Sequence, residues 1–239
     1  MIKRIVLTLF PVYVLIWIGA GKINYEDNKP ENILSFENYI KKFYLDLDLP
    51  GLNYNCFEYA LKGYYSVSNN KRINKKLLTI IDFTKPSIEE RLFIIDLKEH
   101  SLIHKSLVAH GKNSGLNFAD TFSNERHSNM SSLGFYLTGE SYMGKHGYSL
   151  RLIGLEKGFN NLAYERAVVI HSANYVSNAF INKYGRLGRS FGCPAIPADN
   201  HKQIIDLIKD GSCLFIYYPD SNYLANSELL SESYMQLVN

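Results

Sequence analysis

Cysteine, tryptophan and net charge are all scarce in this chain of 239 residues, which has three cysteines, one tryptophan and a formal charge of +3. Its 26 basic side chains nearly balance 23 acidic ones, whereas nucleic-acid-binding proteins concentrate basic charge. We therefore expect no nucleic-acid partner. Three cysteines form at most one disulfide, which excludes a disulfide-rich scaffold. The apolar share of 46% is typical of a folded globular protein.

Motifs of cofactor-dependent proteins are also missing. No glycine-rich loop has the spacing of a Rossmann or Walker phosphate-binding motif, and no Cys-x-x-Cys pair occurs. His100 and His104 stand four residues apart, but the glutamate of a zinc protease is absent between them. The sequence therefore predicts neither a cofactor nor a metal site.

The first 21 residues differ in composition from the rest of the chain. Lys3 and Arg4 precede an apolar run over residues 5–20, which Pro11 interrupts and which ends in three small residues at 19–21. A membrane-spanning helix needs about 20 apolar residues, so the pattern favours a cleaved signal peptide over a signal anchor. Both interpretations stay open, and both predict export to the periplasm or cell envelope.

The remaining chain divides into a helical segment and a longer β-rich segment. We expect a polar tether at residues 22–33 and a helical N-terminal cap at 34–70, in which Ser35 is a candidate N-cap. Short runs of β-branched and aromatic residues predict a mainly β domain over 71–223, followed by a C-terminal tail at 224–239. Helices are expected from 35 to the Pro-Gly pair at 50–51, at 56–65 and at 200–209, and strands at 77–83, 92–97, 102–108, 134–138, 149–155, 167–171 and 213–218.

One cysteine stands apart from the other two. Cys56 lies in a predicted helix and Cys213 in a predicted strand, where a buried thiol acts as a small hydrophobic side chain. Cys193 instead lies between Gly192 and Pro194, in a segment too irregular for a core strand or helix. Cys193 is therefore the candidate nucleophile.

A cysteine nucleophile needs a base and groups that receive the oxyanion. His171 ends an apolar predicted strand 22 residues before Cys193 and is the candidate base. Gly192 allows a close approach of the backbone to a ligand, so we expect the N–H groups of Gly192 and Cys193 to converge on one substrate oxygen. On spacing alone, the pair also fits a structural histidine and an unrelated loop cysteine.

The residues around both positions resemble the signature of the YkuD-type L,D-transpeptidases. Residues 170–173 (Ile-His-Ser-Ala) and 188–195 (Gly-Arg-Ser-Phe-Gly-Cys-Pro-Ala) carry this resemblance. A wider similarity to the murein L,D-transpeptidase catalytic-domain family extends from about residue 53 to residue 223. It implies an L,D-transpeptidase-like β-sandwich or barrel as the catalytic domain.

The resemblance also implies a role for each residue of the motif. Cys193 would be the nucleophile and His171 its base, with the backbone carbonyl of Ser172 orienting the imidazole. Ser190 and Gly192 would shape the oxyanion loop.

Two residues near the cysteine depart from the family pattern. Phe191 stands where the family commonly has a histidine, and Ala195 stands where a polar side chain is usual. The contacts made by those two family residues therefore do not carry over to this chain.

The implied reaction is acyl transfer on peptidoglycan stem peptides through a cysteine thioester. A second stem as acceptor gives a 3→3 cross-link, and water gives L,D-carboxypeptidase activity. Arg186 and Arg189 flank the loop and are candidates for binding a stem carboxylate. Tyr142 and His146 are further candidates for substrate binding. They lie in a glycine-rich segment, 139–147, which is interpreted as a loop over the cleft that forms a lid or substrate wall, with a plain surface hairpin as the alternative.

The expected partners are peptidoglycan stem peptides, with membrane contact only through an uncleaved N-terminal segment. Two other functions stay open. One is a secreted cysteine peptidase or amidase of different specificity. The other is a catalytically inert cell-envelope binding module.

Overall fold

The computed structural model describes residues 31–48, 50–69 and 73–231. The predicted leader at 1–21 and residues 22–30 of the predicted tether lie outside the described residues. Two N-terminal helices come first, α1 (Glu31–Leu47) and α2 (Tyr54–Asn69). Ser35 was predicted to cap the first helix, but it lies one turn inside α1, because serine is only moderately unfavourable within a helix.

Eight strands follow and form one mixed sheet in the order β3-β2-β1-β8-β4-β5-β6-β7. Two neighbouring pairs, β1 with β8 and β6 with β7, are parallel, and the other pairs are antiparallel. The strands are β1 (Leu77–Asp82), β2 (Leu92–Asp96), β3 (Ser101–Ser106), β4 (Gly134–Gly144), β5 (Gly147–Gly154), β6 (Val169–Ser172), β7 (Ala195–Ile196) and β8 (Cys213–Tyr217).

Three further helices are α3 (Asn178–Tyr184), α4 (His201–Ile208) and α5 (Ser221–Asn226). Among the described helices, none is long and apolar enough to cross a membrane. The sequence predicted α4 and seven of the strands, but not α3, α5 or the two-residue strand β7. The fold is mainly β, as predicted.

The two edges of the sheet approach each other beside the predicted active-site loop. The chain leaving β3 makes an antiparallel bridge from Ala109 to Ala195 of β7, and a parallel bridge joins Gly111 to Ser190. These bridges curl the sheet into a near-barrel. The segment that carries Cys193 is thereby enclosed between the first and last parts of the sheet.

Helix α2 packs on strands β1 and β8, helix α1 packs on α2, and both helices share one core with the sheet. Phe43 of α1 packs edge-on against Phe57 of α2, and both are fully buried. On α2, the glycine at position 63 admits the ring of Phe135 from β4, since a Cβ atom there would lie only 1.9 Å from that ring. The helical cap is therefore part of the core of the β domain.

The glycine-rich segment at 139–147 was interpreted as a loop over the cleft, with a hairpin as the alternative, and the structure shows the β4–β5 hairpin. Strand β4 continues to Gly144, and β5 starts at Gly147, which has a positive φ of 78° suited to a tight hairpin turn. A register shift between Thr138 and Ser141 marks a bulge in the ladder. Glycines taken as signs of irregular structure thus belong to a bulged strand and its turn.

Ordered structure continues past the predicted domain boundary at residue 223. The buried carboxylate of Glu156 accepts hydrogen bonds from the Phe135 N–H at 2.7 Å and the Tyr223 hydroxyl at 2.9 Å, and from the Ser227 hydroxyl. Burial raises the pKa of Glu156, and these hydrogen bonds oppose that shift. They tie α5 and the residues after it to β4.

Candidate active site

Cys193 lies in the loop that leads into β7. Its sulfur contacts the backbone at the start of strand β6. The Sγ atom is 3.5 Å from the N–H nitrogen of Val169 and 3.6 Å from the carbonyl oxygen of Ala167. Cys193 is partly exposed, whereas Cys56 and Cys213 are fully buried, and all three thiols are free. Among the cysteines, only Cys193 is accessible to a substrate.

His171 reaches the same place through the register of the sheet. It is paired with Ser149 of β5 on one side and with Ala195, two residues after Cys193, on the other. Its Nδ1 atom is 3.0 Å from the Ser172 carbonyl oxygen. A carbonyl only accepts, so Nδ1 carries the hydrogen and Nε2 is the atom left to accept a proton.

The two residues are not hydrogen-bonded to each other within the part of the chain that the structure describes. Catalytic hydrogen bonds commonly tighten only when a substrate is bound. Burial raises the pKa of the Cys193 thiol, opposed by the Val169 N–H and by the guanidinium of Arg166. Burial also lowers the pKa of His171, and nearby His146 adds to this, while the Ser172 carbonyl acts in the opposite direction. Both directions favour a neutral Cys193 thiol and a neutral His171 imidazole in the free protein.

The loop before Cys193 is closed by Ser190, in a way that changes the predicted oxyanion site. The Ser190 hydroxyl donates to the Cys193 carbonyl at 2.6 Å and accepts from the Gly192 N–H at 3.0 Å. The Gly192 N–H is therefore engaged and does not converge with that of Cys193, contrary to our expectation. Among the described residues no group accepts the Cys193 N–H, so this N–H is free to act as the candidate oxyanion donor.

The same contacts exclude Ser190 as a nucleophile. Residues 188–192 have the spacing Gly-x-Ser-x-Gly, which in α/β-hydrolases holds the nucleophilic serine on a strand-to-helix turn. Here Ser190 is buried, its hydroxyl is engaged at both ends, and the short strand β7 follows. The hydroxyl shapes the loop, and the partly exposed Cys193 remains the candidate nucleophile.

A second layer of backbone supports the loop from behind. Gly192 has a φ of 124°, and a Cβ atom there would lie 2.7 Å from the Met130 carbonyl oxygen. The hydroxyl of Ser131 donates to the Gly192 carbonyl at 3.2 Å and accepts from the Gly111 N–H at 3.0 Å. The position of Cys193 therefore depends on a close backbone approach that only glycine permits.

Replacing Gly192 with alanine is expected to lower kcat/KM by about 100-fold, because the displaced loop moves the sulfur and the Cys193 N–H out of register with a substrate. The measurement is turnover of a tetrapeptide stem together with the thermal unfolding midpoint. Gly158→Ala is the matched control: Gly158 also has a positive φ, of 83°, but nothing lies within 4 Å of its would-be Cβ atom. Equal losses in both variants would contradict a specific role for the loop.

Arg186 and Arg189, the predicted carboxylate-binding residues, are occupied elsewhere. Arg189 donates to the carbonyl oxygens of Lys112 and Gly115, both at 2.9 Å, and Arg186 donates to the Leu187 carbonyl at 2.8 Å. The two guanidiniums are near enough to buried His110 to lower its pKa, although burial is the main cause. Both arginines hold backbone carbonyls, and among the described residues the arginine that acts on the Cys193 thiol is a different one.

The arginine beside the thiol is Arg166, which the sequence did not indicate. Its guanidinium would lie 3.4 Å from a Cβ atom placed on Gly192, and its charge acts to lower the Cys193 pKa. It is anchored by backbone carbonyls of the 123–132 segment, at 2.8 Å from those of Ser123 and Met130. No spacing in the sequence connects residue 166 to residue 193, so only the fold shows this neighbour.

Tyr142 and His146 both lie on the site side of the β4–β5 hairpin. Tyr142 is opposite Ser149, which is opposite His171, so these residues share one row across the sheet. The exposed His146 ring stacks on that of His171, with centroids 4.5 Å apart and planes at 24°. Tyr142 also stacks against Arg151, 4.4 Å from the ring centroid. The hairpin therefore forms one wall of the site.

Three solved L,D-transpeptidases that resemble this chain share little sequence identity with it. An L,D-transpeptidase from Mycobacterium smegmatis is 14% identical, covers 60% of this chain and 59% of its own, and has a TM-score of 0.37. L,D-transpeptidase 1 of Mycobacterium tuberculosis is 13% identical over 60% and 62% of the two chains, with a TM-score of 0.34. An L,D-transpeptidase from Xylanimonas cellulosilytica is 11% identical over 75% and 91%, with a TM-score of 0.34. This chain spans about three fifths of the length of the two mycobacterial proteins.

No curated protein matches the chain. A family model described as YkuD_2, L,D-transpeptidase catalytic domain, matches residues 48–217. That range contains α2, all eight strands, His171 and Cys193, and it makes up more than two thirds of the chain. The chain therefore belongs to the family of L,D-transpeptidase catalytic domains.

Proposed function

We propose that this protein is an exported cysteine L,D-transpeptidase that acts on peptidoglycan stem peptides through a thioester. The observation that carries the proposal is an accessible thiol and a fixed base held on the same strands. The Cys193 sulfur lies against the backbone of Val169 in β6, and His171 of β6 is paired with Ala195 of β7. Cys193 is the only accessible cysteine, and the imidazole of His171 is buried with its Nδ1 bonded to the Ser172 carbonyl. Membership of the L,D-transpeptidase family supports peptidoglycan stem peptides as the class of substrate.

In the first half-reaction, His171 Nε2 accepts the thiol proton as the Cys193 sulfur attacks the carbonyl carbon of the third residue of a tetrapeptide stem. The Cys193 N–H donates to the oxyanion that forms. Collapse of the tetrahedral intermediate breaks the amide bond to D-alanine. The proton held by His171 passes to the departing amine, which leaves a thioester on Cys193 and a neutral imidazole.

In the second half-reaction, an amine or water attacks the thioester carbonyl. His171 takes a proton from the attacking group, and the Cys193 thiol is released with a proton. A side-chain amine of a second stem gives a 3→3 cross-link, whereas water gives a tripeptide and L,D-carboxypeptidase activity. The exposed hairpin with Tyr142 and His146 is the wall along which we place the incoming group.

Export is the other part of the proposal, and it depends on the sequence alone. The basic pair at residues 3–4 followed by the apolar run at 5–20 is typical of a secretory signal. Peptidoglycan lies outside the cytoplasmic membrane, so an enzyme acting on mature stems must reach that side. We place the catalytic domain in the periplasm or cell envelope.

The test is incubation of the chain from residue 22 onward with a disaccharide-tetrapeptide muropeptide, followed by mass spectrometry of the products. We expect loss of D-alanine together with dimers in which the third residue of one stem is linked to the third residue of the other. Loss of D-alanine without dimers would restrict the activity to carboxypeptidase. A control muropeptide with lysine in place of diaminopimelate tests the stem requirement. Equal cleavage of unrelated peptides would favour a general cysteine peptidase, and no change in any substrate would favour an inert binding module.

A further inference from the structure

A polar cavity of about 300 Å³ lies beside the Cys193 loop and has no role in the steps above. Its edge is formed by Phe191, two residues before the nucleophile, whose side chain is 72% exposed. The charged and polar side chains in it come from two other segments, 126–129 and 165–166. The lining residues are Arg126, His127, Asn129, Glu165, Arg166 and Phe191.

Arg126 and Glu165 form an ion pair at the mouth of this cavity. Both side chains are accessible, with 61% and 50% of their surfaces exposed. An exposed ion pair contributes little to stability. Arg126 is therefore available to exchange the Glu165 carboxylate for another carboxylate at a low energetic cost.

Arg166 adds a second positive charge, and it forms no ion pair with an acidic side chain in the part of the chain that the structure describes. Its hydrogen-bond partners in the structure are two backbone carbonyls and two serine hydroxyls, from Ser123, Met130, Ser128 and Ser132. All of these partners are neutral. With one carboxylate against two guanidiniums, the cavity has an excess of positive charge next to the thiol.

We propose that this cavity, here called the carboxylate pocket, binds a carboxylate of the stem peptide, with Arg126 as its specificity-determining residue. Guanidinium groups bind carboxylates through paired hydrogen bonds, which fixes the orientation of the ligand. In the free protein the Arg126 guanidinium is paired with the Glu165 carboxylate. When the substrate binds, the stem carboxylate takes the place of the Glu165 carboxylate. This inference rests on the proposed function and adds the part of the substrate that is recognised.

Two carboxylates of a tetrapeptide stem lie within one residue of the bond that breaks. One is the terminal carboxylate of D-alanine, and the other is on the side chain of diaminopimelate. They share the same chemistry, and amidation removes the charge of either one alone. The test therefore measures kcat/KM for three stems: the free acid, the D-alanine amide and the diaminopimelate amide.

Arg126→Gln is expected to lower kcat/KM for the free acid by about 10- to 100-fold. For one of the two amides the same substitution should change kcat/KM by less than about 2-fold, because the carboxylate that Arg126 binds is already neutralised in that stem. The insensitive amide therefore identifies the carboxylate that the pocket binds. Lys98→Gln is the matched control, because Lys98 also forms an exposed ion pair, with Glu99, at the turn between β2 and β3. It should leave all three values unchanged.

Glu165→Gln separates recognition from a structural role. If Glu165 competes with the stem carboxylate, removing its charge should lower KM for the free acid by about 3-fold or more. A merely structural ion pair would give the opposite change. An active enzyme in which Arg126→Gln has the same effect on all three stems would overturn the inference and leave the proposed function standing. Absence of turnover in the unmodified protein would instead overturn the proposed function.

Discussion

Replacing Cys193 with alanine is expected to abolish both thioester formation and release of D-alanine, a loss of roughly 10⁴-fold or more in turnover. The reason is that the described structure has no second accessible nucleophile at this place. The Ser190 hydroxyl is engaged by the Cys193 carbonyl and the Gly192 N–H. Neither of the other thiols can replace Cys193, since both are fully buried.

Intact-mass spectrometry with a tetrapeptide stem measures the thioester directly, and alkylation counts the reactive thiols. The native wild-type protein should take up one alkyl group, and the Cys193→Ala variant none. In denaturant the numbers should be three and two. Burial raises the pKa of both Cys56 and Cys213, which protects them in the folded state. Acyl transfer by the alanine variant would refute the nucleophile assignment.

Cys213→Ala is the matched control for this experiment. Cys213 lies in the central strand β8, opposite Leu78 of β1, and its side chain is enclosed by the core. Its removal should leave one alkylatable thiol and full acyl transfer. Loss of activity in this variant as well would show that the assay reports on folding of the sheet and not on the nucleophile.

The sequence predicts those parts of the fold that have a pattern of their own. Strands β1 and β8 are apolar runs buried over nearly their whole length, so composition alone marks them. The strand β7 has only two residues, and it exists because His171 and Ala195 are paired across the site. Such a pairing is set by the tertiary fold, and no local periodicity indicates it.

In the candidate site, too, the sequence identifies some residues and misses others. Cys193 and His171 stand out because of their local motifs. Arg166 is missed because its partners belong to the 123–132 segment, more than thirty residues away. Arg186 and Arg189 were chosen because they are near Cys193 in sequence, but Arg186 donates to the carbonyl of the next residue, Leu187, and Arg189 donates to carbonyls of the 112–115 segment. Proximity in sequence identified the loop and did not show which way its side chains point.

The second large effect is expected at the base. Substituting His171 with glutamine should lower kcat/KM by about 10³-fold, within the range that general acid–base catalysis contributes. Without the imidazole, the thiol keeps its proton at neutral pH, because burial raises the pKa of Cys193. The leaving amine also loses its proton donor. The fold should persist, since a glutamine amide can still donate to the Ser172 carbonyl, which accepts from Nδ1 of His171 in the unmodified protein.

His146→Gln provides the comparison, because His146 is the neighbouring imidazole and stacks on His171 at 4.5 Å. It should lower kcat/KM only severalfold, about 3- to 10-fold, since it removes a stacking partner and leaves the base in place. It should also shift the pH profile. His146 contributes to the lowered pKa of His171, so replacing His146 raises the pKa of His171. Because His171 acts as a base only when it is neutral, activity then begins at a higher pH.

The measurement is kcat/KM for a tetrapeptide stem between pH 5 and 9 in the three proteins. The wild type should show an acidic limb below the ordinary histidine value of about 6.5, because burial lowers the pKa of His171. The limb should move to higher pH in His146→Gln and be absent in His171→Gln, whose residual rate then follows ionisation of the thiol alone. If His146→Gln instead caused the larger loss and removed the limb, the exposed imidazole of the hairpin would be the base, and His171 would serve to hold it in place.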